Sequence, residues 1–196
     1  MNPGIASLIK IVEAGIEVFS QEGFSGAGTL QIAAKAGVAE STIFRKFRTK
    51  EDLYRECLRT ALSRSLDPTQ FQTLIFNDSG ESGLSDALLT GVKHWYTRLS
   101  VPAARLVLYA SLSKNQEWRT LAWERTERII GVLSERIERN ARSRRNNRLD
   151  PNAAATSLIA TLLYIKSVRS RVRNRDPQLV EIVFRQWLHG VLEGAE

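Results

Sequence analysis

Apolar residues recur along this chain at intervals of three, four and seven, the spacing that lines one face of an α-helix. Ile5, Leu8, Ile9, Val12, Ile16 and Phe19 make the first such stripe, in a helix expected to stop near Gly23. Short helices follow from Thr29 to Ala36 and from Glu40 to Phe47, parted by Gly37. Lys50 opens a longer helix through Leu53, Cys57, Leu58, Ala61 and Leu62, ending before Pro68, and the NDSGESG stretch from Asn77 to Gly83 reads as a loop. Leu84, Leu88, Val92, Trp95, Tyr96 and Leu99 form a stripe ended by Pro102, and Ala103 to Leu112 is a shorter helix. Trp118, Leu121, Ala122, Ile129, Val132, Leu133 and Ile137 mark a long helix that gives way to an Arg/Asn-rich segment, Arg142 to Arg148. Asp150-Pro151 and Asp176-Pro177 start the last two helices, Asp as cap and Pro at the first helical position. No strand pattern competes, so an all-α fold of about nine helices is expected.

The composition, 43% hydrophobic and 25% charged, is that of a globular protein, and no run approaches the roughly 20 apolar residues of a membrane span. Met1 to Gly15 lacks the pattern of a signal peptide. The single cysteine, Cys57, excludes an intramolecular disulfide and any multi-cysteine zinc site. A cytoplasmic protein with no membrane partner is the expectation. Two histidines, His94 and His189, one cysteine, no phosphate-cradling glycine loop and no metal-ligand spacing leave no catalytic residue, metal site or cofactor to nominate. An enzyme is not expected.

The net charge of +7 suits a polyanionic partner, but its distribution matters more than its size. Residues 1–60 carry eight Lys/Arg against seven Asp/Glu, so the N-terminal region is nearly neutral overall. What stands out there is a local cluster, Arg45, Lys46, Arg48 and Lys50. It ends a segment, residues 29–47, in which two short helices flank the turn Gly37-Val38-Ala39, the layout of a helix-turn-helix. Ile32, Ala33, Ala36, Val38, Ile43 and Phe47 are placed to fix the angle between the helices, which leaves Glu40, Ser41, Phe44, Arg45 and Lys46 facing outward. Polar and basic groups on such a helix reach base edges, and basic groups at its end meet phosphates. Pattern alone leaves open an ordinary helical hairpin with a solvated basic face.

Phe19, Gly23-Phe24, Ile32-Ala33, Ala36-Gly37-Val38, Thr42-Ile43-Phe44, Phe47, Lys50-Glu51 and Leu53, at these spacings, resemble the N-terminal domain of TetR/AcrR-family transcriptional regulators over roughly residues 5–60. The resemblance implies a helix-turn-helix DNA-binding domain over residues 1–48. A helical effector-binding and dimerisation domain would follow over 49–196, linked by the helix from Lys50. It implies DNA contacts from Thr42 and from the recognition-helix positions Glu40, Ser41, Phe44, Arg45 and Lys46, with Lys50 and Thr29 at phosphates. The implied function is a dimeric repressor of a double-stranded DNA operator, released by a small-molecule effector. The alternative is a helical protein-interaction module whose DNA binding is weakened or lost.

Several residues depart from the family's pattern. Phe44 stands where Tyr is more frequent, keeping the packing but losing a hydroxyl. Lys46 stands where His is common, and Ala39 where a Ser cap is frequent, at a cost of about 1 kcal/mol. Gly28 holds the usual Ser/Thr cap position, so the cap is open to slipping to Thr29, which puts its phosphate contact in doubt. Glu40 either accepts a bond from a cytosine amino group or only offsets the helix dipole.

Beyond residue 60 the chain carries no comparable motif. The helices Asn152–Arg171 and Pro177–Leu192 are the candidates for pairing subunits, the first through small residues (Ala153, Ala154, Ala155, Ser157, Ala160), the second through an apolar face with Trp187. For the effector, the candidates are His94, Trp95, Tyr109, Trp118, Arg125 and Lys166. Tyr96 and Trp123 lie on the same helices, and such aromatics serve core packing as readily as a pocket. Arg125 interrupts an apolar stripe, so it either snorkels to solvent or meets a carboxylate or an anionic ligand. Glu124 and Glu127 serve as its partner only if they turn inward. Arg136–Arg148 reads as a solvated helix end and loop.

Overall fold

The computed structural model describes residues 3–64, 67–76, 84–143, 149–168 and 177–190. Ten helices lie among them: α1 (Pro3–Gly26), α2 (Thr29–Ala36), α3 (Glu40–Lys46), α4 (Lys50–Ser63), α5 (Pro68–Phe76), α6 (Leu84–Arg98), α7 (Val101–Ser111), α8 (Gln116–Ser143), α9 (Pro151–Val168) and α10 (Pro177–Leu188). Every helix expected from periodicity is present, and α5 joins them. Its start is another Asp-Pro pair: the Asp67 carboxylate accepts the Thr69 N–H at 3.0 Å, with Pro68 at the first helical position. The expected loop 77–83, the Arg-rich residues 144–148 and the Asp176 cap lie outside the described residues.

The helices group into two compact units. The first comprises Met1–Arg64 with Ser100–Trp123, the second Ser65–Leu99 with Glu124–Glu196. In the first, α1 packs on α2, α4 and α7, α2 on α3, and α4 on α7. Its centre is Ile11, Phe19, Ile32, Ile43, Leu53, Tyr54, Leu58 and Leu106, all essentially without solvent contact. Helices α1 and α4 approach closely because position 15 is glycine: a Cβ there would lie 2.6 Å from the Cys57 sulfur. The Cys57 thiol in turn meets the Val12 carbonyl at 3.5 Å. An aromatic cluster closes the unit. Tyr54 stands edge-on to Phe19 at 5.0 Å and to Phe24 at 5.5 Å, and Trp118 packs on Phe24 at 4.7 Å and Tyr54 at 4.4 Å. Such pairs add about 0.5–1.5 kcal/mol each beyond the area they bury.

The stripe on α1 is buried only in its second half. Val12, Ile16 and Phe19 are in the core, whereas Ile5, Leu8 and Ile9 are 52%, 37% and 46% exposed. The side-chain contacts of α4 with Val12, Gly15, Phe19 and Phe24 all lie beyond those three residues. Near its end α1 breaks where expected, at Gly23 (φ 70°), and resumes as far as Gly26. That left-handed conformation is cheap only for a residue without a Cβ.

In the second unit α5 packs on α6, and α10 on α6 and α9. Gly91 lets the α5 side chain Ile75 approach α6, since a Cβ at Gly91 would lie 2.6 Å from it. Asp150 caps α9 by accepting the N–H groups of Asn152 (2.9 Å) and Ala153 (3.1 Å). The Trp187 indole N–H ties α10 to α9, donating to the Ala154 carbonyl at 3.0 Å and the Ser157 hydroxyl at 3.1 Å. Lys93 pairs with Glu181 at 2.6 Å, tying α6 to α10. Among the described residues no helix is long and apolar enough to cross a membrane.

Candidate nucleic-acid interface

Helices α2 and α3 meet through Ile32, Ala33, Ala36 and Ile43, with Phe47 behind them, all buried. The turn between them depends on Gly37, whose φ of 67° is left-handed. There the Gly37 N–H bonds to the Ala34 carbonyl at 3.2 Å and the Val38 N–H to the Ala33 carbonyl at 3.0 Å. These bonds satisfy the last carbonyls of α2 and turn the chain into α3. The arrangement is a helix-turn-helix, with α3 in the place of the recognition helix.

Neither helix has a side-chain cap. Gly28 precedes α2 and Ala39 precedes α3, and neither supplies an acceptor. The slipped cap at Thr29 is not what forms. Thr29 is the first residue of α2, and its hydroxyl donates to the Glu40 carboxylate at 2.6 Å, across to the first residue of α3. A hydroxyl donating to a charged carboxylate makes a stronger hydrogen bond than one donating to a neutral acceptor, and here it links the two helices. α4, by contrast, is capped by Thr49, whose hydroxyl accepts the Asp52 N–H at 3.1 Å.

The outward face of α3 carries Ser41, Phe44 and Arg45, spaced so that all three point the same way, with Phe44 48% exposed. Thr42 is half-buried. The two lysines expected at phosphates are half-buried and engaged within the first unit. Lys46 donates to the Gly4 carbonyl at 2.8 Å, and the Lys50 ammonium lies 4.7 Å from the centre of the Phe24 ring. Arg48 is exposed beside them. The outer side of α2 is tied to α1 by Gln31, which donates to Glu22 at 2.6 Å, and by an ion pair of Lys35 with Glu17. Those contacts run between helices, and no pattern within one helix announces them.

The six effector candidates divide between the units. Tyr109 and Trp118 belong to the first, His94, Trp95, Arg125 and Lys166 to the second. Trp118 is buried against Phe24 and Tyr54, which gives it a core role. Trp95 is buried, His94 half-buried and Tyr109 partly exposed. Lys166 donates to the Tyr96 carbonyl at 3.0 Å and lies 4.3 Å from the centre of its ring. Arg125 is half-buried, and its Nε is out of contact with solvent and without a hydrogen-bond partner among the described residues. Glu124 and Glu127 face solvent, so neither turns inward to meet it. Toward the end of α8, Arg139 pairs with Glu135 and Arg142 with Glu138, each at 2.6 Å, on exposed turns.

Residues 11–57 match the family described as bacterial regulatory proteins, tetR family. No curated protein matches the chain. Solved structures share its fold along nearly the whole length. A TetR-like transcriptional regulator from Rhodococcus sp. RHA1 is 14% identical, with 95% of this chain and 96% of that one covered at a TM-score of 0.72. The TetR-family regulator PfmR from Thermus thermophilus is 14% identical, covering 93% and 97% at 0.68. FadR from Bacillus subtilis, solved in complex with stearoyl-CoA, is 18% identical, covering 94% and 99% at 0.65. Residues 11–57 thus carry the segment that defines the family described as bacterial regulatory proteins, tetR family, and the chain shares the fold of these solved regulators along nearly its whole length.

Proposed function

We propose that this protein is a sequence-specific transcriptional repressor of the bacterial cytoplasm, which binds a double-stranded DNA operator as a homodimer and is released by a small-molecule effector. The observation that carries the DNA-binding part is the α2–turn–α3 unit, with Ser41, Phe44 and Arg45 on one open face of α3. Arg45 is the side chain suited to a guanine edge, Phe44 to a thymine methyl, and Lys46, Arg48 and Lys50 supply phosphate contacts. The expected division assigns DNA binding to residues 1–48 and effector binding and pairing to 49–196.

Pairing through α9 and α10 is supported by what those helices leave uncovered. Ala153, Ala160, Tyr164 and Val168 on α9 and Ile182 on α10 are exposed. Two copies of such faces bury each other in a symmetric four-helix contact. A dimer presents two recognition helices, and an effector that favours a spacing unsuited to successive major grooves draws the population off the operator.

The effector reading rests on Arg125. A half-buried guanidinium with an unsatisfied Nε is suited to an anionic group attached to an apolar body. FadR, with its bound stearoyl-CoA, is a protein of the same fold whose ligand has that character. The test is a gel shift with the DNA upstream of the protein's own gene, followed by a screen of acyl thioesters, fatty acids and apolar cations for release. A specific complex dissolved by an anionic amphiphile, with Arg125→Ala insensitive to it, is the expected result. No specific complex at low salt, where phosphate contacts are strongest, favours the protein-interaction module instead.

A further inference from the structure

We propose that Thr29 is a positioning residue: its hydroxyl fixes the carboxylate of Glu40 at the mouth of α3, and the two act as one determinant of base preference. This rests on the DNA-binding reading above. It departs from the role that the resemblance implies for Thr29, a phosphate contact.

A threonine hydroxyl has one hydrogen to give, and Thr29 gives it to Glu40 Oε1 at 2.6 Å. A phosphate approaching Thr29 finds no free donor on that side chain and meets a carboxylate charge within hydrogen-bond distance of it. Capping does not explain the pair. Thr29 lies one residue inside α2, Glu40 is the first residue of α3, and the cap positions Gly28 and Ala39 make no side-chain bond. The link therefore runs between helices, and its ends are held in register by the buried packing of Ile32 and Ala36 with Ile43.

What the link achieves is the removal of freedom. A glutamate at the start of an exposed helix turns about three side-chain bonds, and any base contact it makes must first overcome that freedom. With Oε1 held by Thr29, the position of Oε2 is restricted before DNA arrives. A carboxylate only accepts hydrogen bonds, so in the major groove it favours the amino group of cytosine. It is repelled by acceptor edges such as guanine O6 and N7 or thymine O4. The first turn of a recognition helix is the part that reaches base edges. Glu40 there, next to Ser41 and one turn from Phe44, is placed to express that preference.

The experiment is selection of bound duplexes from a randomised pool by the full-length wild type and by Glu40→Gln, Thr29→Val, Thr29→Ser and the Thr29→Val/Glu40→Gln double variant. The salt dependence of binding and the thermal melting of each are measured alongside. Glu40→Gln is expected to change the preference at one base pair per half-site by about tenfold, the scale of one misread base pair. Thr29→Val should move the same base pair in the same direction, by a smaller factor. Thr29→Ser should keep the wild-type preference, and the double variant should go no further than Glu40→Gln alone. If Thr29→Val lowers affinity equally for all sequences and flattens the salt dependence, Thr29 is a phosphate contact and the proposal is overturned. It is likewise overturned if Glu40→Gln leaves every preference unchanged. A wild type that enriches no sequence removes the regulator reading itself, an outcome distinct from both.

Discussion

The ammonium of Lys50 lies 4.7 Å from the centre of the Phe24 ring, and that ring is packed against Tyr54 and Trp118. The start of α4 is thereby tied to the end of α1 by a cation on an aromatic face, worth about 0.5–1 kcal/mol at a partly exposed position. A side chain held there would lose less freedom in the phosphate contact proposed for it. Lys50→Ala should weaken DNA binding by a similar factor on every sequence and lower the salt slope by about one. Phe24→Leu should leave the salt slope intact while lowering affinity less. Titrations of both variants at several salt concentrations separate these effects.

Arg45 and Lys46 are neighbours with different surroundings. Arg45 is exposed on the outer face of α3, whereas Lys46 is half-buried and donates to the Gly4 carbonyl at 2.8 Å. Arg45→Ala should cost about 1–3 kcal/mol on the preferred operator and relax one base position. Lys46→Ala should cost less and change no preference, while loosening the first turn of α1. Selected-sequence profiles report the first difference, and amide exchange at the first turns of α1 reports the second.

Gly15 and Cys57 share a space that holds only one of their side chains. A Cβ on Gly15 would fall 2.6 Å from the Cys57 sulfur. Gly15→Ala should therefore destabilise by about 1–3 kcal/mol, although alanine favours a helix. Cys57→Ala in the same chain should recover part of the loss. Denaturant melts of the two single variants and the double variant give the coupling directly.

Burial pushes the Cys57 thiol well above its ordinary range and, through the same cause, raises Tyr54. Both groups are folded in their neutral forms. An acid whose folded pKa is raised loses stability as pH climbs above its unfolded pKa. That is about 8.5 for the thiol and about 10 for the phenol. Stability should be level near neutrality and fall from about pH 8.5 upward, with a shallower fall in Cys57→Ala. A thiol reagent should leave the native protein unmodified at pH 7 and react only as fast as it opens.

Much of the fold is legible in the sequence because its determinants are local. Gly37, with Ile32, Ala36, Ile43 and Phe47 around it, lies within one short segment, and the structure realises that turn as read. Asp150-Pro151 announces α9 in the same way. α5 escapes the pattern because Pro68 doubles as a stop for the preceding helix, although Asp67-Pro68 is the same start signal. The first turns of α1 mislead for a different reason. A stripe records which residues are apolar, not how far the covering helices reach, so Ile5, Leu8 and Ile9 belong to the apolar face and yet are exposed.

At the candidate interface the residue types are readable and their partners are not. Nothing local joins Thr29 to Glu40, Lys46 to Gly4, or Trp118 to Phe24 and Tyr54. Each pairing exists only once separate helices have packed, consecutive ones for Thr29 and Glu40 and distant ones for the others. That is why Trp118, an apolar aromatic on a helical stripe, fits a ligand site in the sequence and sits in the core of the first unit in the structure.

In the function proposed above, the open face of α3 reads DNA sequence. Its most direct test is the ratio of equilibrium affinities for the best selected duplex and for a scrambled duplex of the same length and composition, at one physiological salt concentration. A sequence-reading α3 gives a ratio of about a thousand or more, falling sharply in Arg45→Ala while affinity for the scrambled duplex changes little. Equal affinities for the two duplexes would contradict it.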